Sequence, residues 1–206
     1  MEITTDELKK NNCFKFVDLN NNTIVMDEKT QNKIKMVFSD SASNNYISVE
    51  GTTTTEGIII TLFGNNGTVV MGKSSYHKAV VNCGGHAKIT VGDDCMSSNI
   101  FLMQSDQHMI FDINSKKCIN MKKDIVIGNH VWLGRESMIL GGGEIPDGCI
   151  VGARTTTSHK FKEKNSVIAG NPGKIIRRNI IWARDSVENH FDSYEMCKDL
   201  SGQKYI

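Results

Sequence analysis

Between residues 127 and 156 a large aliphatic side chain returns at every sixth position: Ile127, Leu133, Ile139, Ile145 and Val151. The fifth place of each block is small or of moderate size, held by Val131, Ser137, Gly143, Cys149 and Thr155. A helix, at about 3.6 residues per turn, does not repeat on that interval, and neither does an ordinary hairpin. A triangular coil of short parallel strands does. Each side takes one block, the aliphatic points into a narrow prism, and the small residue fits the corner. Three blocks complete a coil, so residues eighteen apart stack on neighbouring coils and bury one continuous aliphatic column. The expected class is all-β, a parallel β-helix.

The same register reaches upstream, with Val91 opening VGDDCM and Ala79 opening AVVNCG. It gives Cys83, Cys95 and Cys149 a structural place at the corners. The other cysteines are Cys13, Cys118 and Cys197. No CxxC pair occurs, so zinc and redox motifs are not expected, and all six are read as free thiols. Cys118, in a polar segment, is the candidate for a reactive thiol against the default of a small buried hydrophobe.

The pattern weakens after Phe101 and resumes near Ile125, leaving a polar interruption at about 103–124 that contains SDQHMIFD, residues 105–112. Residues 1–69 hold strand-like pieces such as NTIVMDE, KIKMVFSD and GIIITLF between Asn-, Ser- and Gly-rich turns. They read as irregular β-structure leading into a coil domain over 70–172. Beyond Pro172, Ile176, Ile180, Ala183, Val187, Phe191 and Tyr194 recur every three or four residues. That spacing predicts an α-helix within a cap over 173–206, covering the open end of the prism.

Charge is balanced, with 24 Lys+Arg against 23 Asp+Glu. A general nucleic-acid binder would carry a strong basic excess, so none is expected as a partner. The opening MEITTDELKK has no apolar run, so no signal peptide is expected, and IIITLF is too short to span a bilayer. The chain reads as soluble and cytoplasmic.

Together ITVGDDCM, the interruption with SDQH, DIVIGNHVWLG, VGARTTTSHK and IAGNPGKIIR resemble the hexapeptide-repeat acyltransferases, and among them most closely the capsule and sialic-acid O-acetyltransferases. The resemblance covers about residues 70–176. It implies left-handed coiling, against the usual crossover rule. It also implies that His108 in the interruption is a general base, a task imidazole suits near neutral pH. Asp106 or a backbone carbonyl would orient it. Trp132, directly before inward Leu133, points outward and matches an active-site tryptophan of the family. The implied donor is acetyl-coenzyme A. Gly134, Arg135 and Ala153 match its pantetheine corner, while Ser158, Lys160, Lys174, Arg177 and Arg178 suit its phosphates. A homotrimer and a carbohydrate acceptor, sialic acid favoured, complete the expectation.

Each reading has a blander rival. His108 could be a solvated loop residue, Trp132 a packing contact, and the cations a solvated helix start. The γ-class carbonic anhydrases, on a related β-helix, bind zinc through three histidines. Their H-x4-H pair is missing here, so no metal is expected, and His130 is read as part of the coil edge near the site. Acetylation of a small molecule (an antibiotic, serine or an amino sugar) and a non-catalytic scaffold are the functional alternatives.

Overall fold

Ile127, Leu133, Ile139, Ile145 and Val151 are all buried in the computed structural model, which describes residues 13–27, 30, 33–186, 188 and 201–205. Ile127 pairs beside Ile145 and Leu133 beside Val151, eighteen residues on in each case. Stacking turns the sixfold pattern into a core column and pairs the strand backbones with the coils above and below.

Three faces result. The first holds Thr23–Asp27, Tyr46–Val49, Thr68–Met71, Lys88–Val91, Ile125–Ile127 and Glu144–Ile145. The second holds Met96–Ser97, Trp132–Leu133, Ile150–Val151 and Val167–Gly170. The third holds Ile100–Met103, Met138–Leu140 and Thr156–Thr157. It continues upstream through Ile34–Phe38 and the later parts of two long strands, Thr53–Phe63 and Ser75–Gly84, whose leading residues bend round onto the second face. The fold is a left-handed parallel β-helix. Its corners turn at residues of positive φ. Asp94 and His130 stand between the first and second faces, Glu136 and Arg154 between the second and third, and Asn66 and His86 between the third and first.

The upstream region, expected to be irregular, is regular from Thr23 on. Thr23–Asp27 runs parallel to Tyr46–Val49, and that strand to Thr68–Met71, in the sheet that continues downstream. The sixfold count fails there because the coils are longer: Tyr46 stacks on Thr68 and Thr68 on Lys88. The longer corners are held by buried asparagines. Asn45 Nδ2 donates to Asn22 Oδ1 and to Gly64 O, and Gly67 N donates to Asn45 Oδ1.

The α-helix expected within 173–206 does not form in the described part. Gly173–Arg177 is a strand antiparallel to Val167–Gly170, and residues 178–186 follow without helix. Val187, Phe191 and Tyr194 of the expected stripe lie outside the described residues. Ser201–Tyr205 is a short 3-10 helix. The last coil offers an open strand edge, and pairing along it while Ile175 packs on the core satisfies backbone and side chain together. No helix among the described residues is long and apolar enough to cross a membrane.

Candidate active site

The polar interruption is an arm, residues 104–124, inserted at the corner between the third and first faces. Buried Gln104 closes its base: its Oε1 accepts from Gly84 N at 2.8 Å and its Nε2 donates to Lys123 O at 3.0 Å. The coil then resumes as if nothing had been inserted, with Ile125 on Ile89. Within the arm the chain doubles back through an antiparallel bridge between Phe111 and Cys118. Asp112 caps the turn, accepting from Ser115 N at 2.6 Å, and that amide holds its carboxyl below the usual range.

His108 sits at the foot of this hairpin and is exposed. Its N–H donates to Asp106 O at 2.7 Å and its carbonyl accepts from Asn120 Nδ2 at 2.7 Å. The imidazole itself makes no hydrogen bond among the described residues. It faces a cavity of about 510 Å³ lined by His86, Gln104, Asp106, Met109 and Lys122 among others. The Asp106 carboxylate does not orient the ring directly; it accepts from Asn120 Nδ2 at 3.1 Å instead.

Trp132 lies on the second face, in an outward ladder with Met96, Ile150 and Val167. It is 39% exposed. Its indole N–H has no partner among the described residues. The second face does not adjoin the corner that carries the arm, so within one chain the structure does not bring His108 and Trp132 together.

Sequence reasoning missed the residue that backs Trp132. Trp182, buried, tilts against it with ring centroids 6.0 Å apart and stacks on His130 at 3.9 Å. Trp182 Nε1 donates to His130 O at 3.0 Å. His130 is 1% exposed, with Nδ1 2.9 Å from Asp94 Oδ2 and Nε2 3.1 Å from Trp182 O. Arg184 reaches the same corner through Asp94 and Ser75. His130 is therefore a clamp on the C-terminal segment. The signal for Trp182 was present: an indole that falls off the expected helical stripe. His86 shares the cavity of His108 while His130 is buried elsewhere, so the three histidines do not converge. Among the described residues no group of three potential ligands is placed to hold a metal.

The residues read as binding the donor fall in two places. Arg135 and Ala153 stack at the corner between the second and third faces, where Arg154 N donates to Arg135 O at 2.8 Å. Gly134 is buried beneath them, and a Cβ there would stand 2.7 Å from Ala153 N and Val151 O, so glycine permits the coils to close. Ala153 is exposed, and neither its N–H nor its C=O is hydrogen-bonded among the described residues. At the C-terminal end of the prism Ser158, Lys174 and Arg178 line a second cavity of about 520 Å³. Arg178 is held by Glu163, and Lys160 lies 3.9 Å from Glu144, away from the cavity wall. Exposed Arg177 does not line it.

Burial pushes the thiols of Cys83 and Cys95 up to about 11 and raises that of Cys149, which suits inert packing residues. Cys118 is half-buried in the arm, its Sγ 3.4 Å from Asn120 Oδ1.

No family model matches the chain. The chain is 33% identical over 169 residues to a polysialic acid O-acetyltransferase of Neisseria meningitidis, covering 80% of this chain and 77% of that one. It is 44% identical over 97 residues to a polysialic acid O-acetyltransferase of Escherichia coli O1:K1 / APEC. That match takes in 47% of this chain but spans only 31% of the longer relative. Among solved structures, the polysialic acid O-acetyltransferase OatWY superposes with a TM-score of 0.60 at 26% identity, over 84% of this chain and 96% of that one. The polySia-specific acetyltransferase NeuO shares the fold, with a TM-score of 0.57 at 24% identity over 89% of this chain and 85% of that one.

Proposed function

The chain belongs to the polysialic acid O-acetyltransferase family of hexapeptide-repeat proteins, and on that premise we propose that it transfers an acetyl group from acetyl-coenzyme A to a sialic acid hydroxyl of a polysaccharide. The observation that carries the chemistry is His108, an exposed imidazole with no hydrogen-bond partner among the described residues, on an arm tied down at its base, facing a cavity. His108 takes the proton of the acceptor hydroxyl as its oxygen attacks the thioester carbonyl. The indole N–H of Trp132, without a partner among the described residues, is offered to the carbonyl oxygen, where negative charge gathers. His108 then returns the proton to the departing thiolate. The balance needs no acyl-enzyme, metal or redox partner.

The donor fits the residues present. The peptide groups of Ala153, without a partner among the described residues and beside Arg135, suit the amides of pantetheine. Lys174 and Arg178, around the cavity at the end of the prism, suit phosphates.

Because His108 and Trp132 lie on parts of one prism that do not adjoin, a site using both is built from two chains. A homotrimer supplies this by closed symmetry. Two outward ladders are apolar and available for it: Met96, Trp132, Ile150 and Val167 on the second face, and Ile59, Val80, Phe101 and Met138 on the third. The arm adds Met109, Phe111, Ile113, Ile119 and Met121, all exposed.

Thiol release from acetyl-coenzyme A, with ester formation followed by NMR, tests the reading against polysialic acid, maltose, chloramphenicol and serine. Acetylation of polysialic acid is expected. Transfer confined to one of the small acceptors, or no transfer to any, overturns it.

A further inference from the structure

We propose that Asn120 is the residue that positions His108. The arm is a surface excursion, and a general base on such a segment has to be held within about 0.5 Å of its working place. Asn120 meets that need with both polar atoms of its side chain. Its Oδ1 accepts from Ile110 N at 2.8 Å. Its Nδ2 donates to His108 O at 2.7 Å and to Asp106 Oδ2 at 3.1 Å. The ring closes through His108 N, which donates to Asp106 O at 2.7 Å. One side chain therefore grips the backbone at His108 and two residues beyond it, and draws in the residue two before. It does so from the opposite strand of the hairpin, which pairs again where Ile119 N donates to Ile110 O at 2.9 Å. The imidazole is left free for substrate. Asn120 touches no reacting atom in this account; it acts through His108. The inference rests on the reading of His108 as the base.

Asparagine is specific for this place. A carboxylate of the same shape accepts only, so it would keep the bond from Ile110 N but set an oxygen against the His108 carbonyl and a second charge beside Asp106. Asn120→Asp thus removes both Nδ2 bonds, to His108 O and to Asp106 Oδ2, and keeps only the bond from Ile110 N. The solenoid is continuous behind the arm, from Ile89 to Ile125, so the variant keeps a folded scaffold.

The test is kcat, acetyl-coenzyme A affinity and melting temperature for Asn120→Asp and Asn120→Ala, each in wild-type and His108→Ala backgrounds. A displaced base should lower kcat by about tenfold to a hundredfold, with donor affinity unchanged. In the His108→Ala background the same substitutions should cost nothing further, because the residue they act through is gone. Normal kcat in either Asn120 variant overturns the proposal, as does a loss that persists undiminished without His108. A fully active His108→Ala protein would refute the base itself. An inactive one beside a fully active Asn120→Asp would refute only the role of Asn120.

Discussion

His108 stands on an arm at the corner between the third and first faces, whereas Trp132 lies on the second face, which that corner does not touch. A site that uses both draws them from different chains. Co-expressed His108→Ala and Trp132→Ala chains, each inactive alone, should therefore recover activity in mixed oligomers. Random mixing leaves both groups intact in about a quarter of the sites of a cyclic assembly. Purified mixed oligomers with no activity above either parent would contradict the shared site, and so would a fully active monomer in sedimentation equilibrium.

The cations at the end of the prism are not equivalent. Lys174 lines the cavity and has no ion pair among the described residues, while Lys160 is turned toward Glu144. Lys174→Met should weaken acetyl-coenzyme A by about tenfold, the worth of one charge-assisted contact. It should leave acetyl-pantetheine, which lacks the adenosine phosphates, unaffected, and Lys160→Met should do less. Equal kinetics of Lys174→Met with both donors would place the phosphates elsewhere.

Thr155 is fully buried at a corner of the core, and its hydroxyl finds no hydrogen-bond partner among the described residues. A buried polar group left unsatisfied costs about 1–3 kcal/mol. Thr155→Val keeps the shape and removes the group, so urea denaturation should show a variant more stable than wild type by about 1 kcal/mol. A variant less stable by that amount would mean the hydroxyl is satisfied in solution.

Asp94 ties the C-terminal clamp to the prism. Burial raises its carboxyl, but hydrogen bonds from His130 and Arg184 outweigh this and hold it below the usual aspartate range. Lys204 Nζ stands 3.8 Å from the same carboxylate. A depressed acid contributes stability that is present above the ordinary aspartate range and lost as pH falls through its lowered value. Asp94→Asn should thus be less stable at neutral pH by about 1.5–3 kcal/mol, the worth of hydrogen bonds to a charged group. The gap should close in strong acid. A gap of constant size across pH would remove the charge from the account.

The legible part of the fold was the part where one residue type per block meets one structural demand. Ile127 to Val151 carry the sixfold signal because each fills the same place in the prism. Thr23–Met71 hid the same architecture because its coils are longer, and buried asparagines rather than aliphatics close corners such as that at Asn45. At the other end, Ile176 and Ile180 fit a helical period, yet a free strand edge is a tertiary demand that local spacing does not reveal. Around the candidate site, the place of His108 on an arm was legible from the interruption in the repeat, while its role as base is an expectation from the family resemblance. The residues that hold its neighbourhood, Asn120 and Gln104, were not, since their task is set by which strands the hairpin and coil bring together. For Trp182 the sequence carried only an indole off the helical stripe, since its contacts with His130 and Trp132 span some fifty residues of sequence.

The central claim is that His108 is the base of an acetyl transfer to polysialic acid. The most direct measurement is the rate of ester formation by wild-type and His108→Ala protein, alongside calorimetric binding of coenzyme A to both. Loss of a general base predicts a fall in turnover of about a hundredfold to ten-thousandfold, with coenzyme A affinity unchanged. Near-normal turnover in His108→Ala would contradict the account.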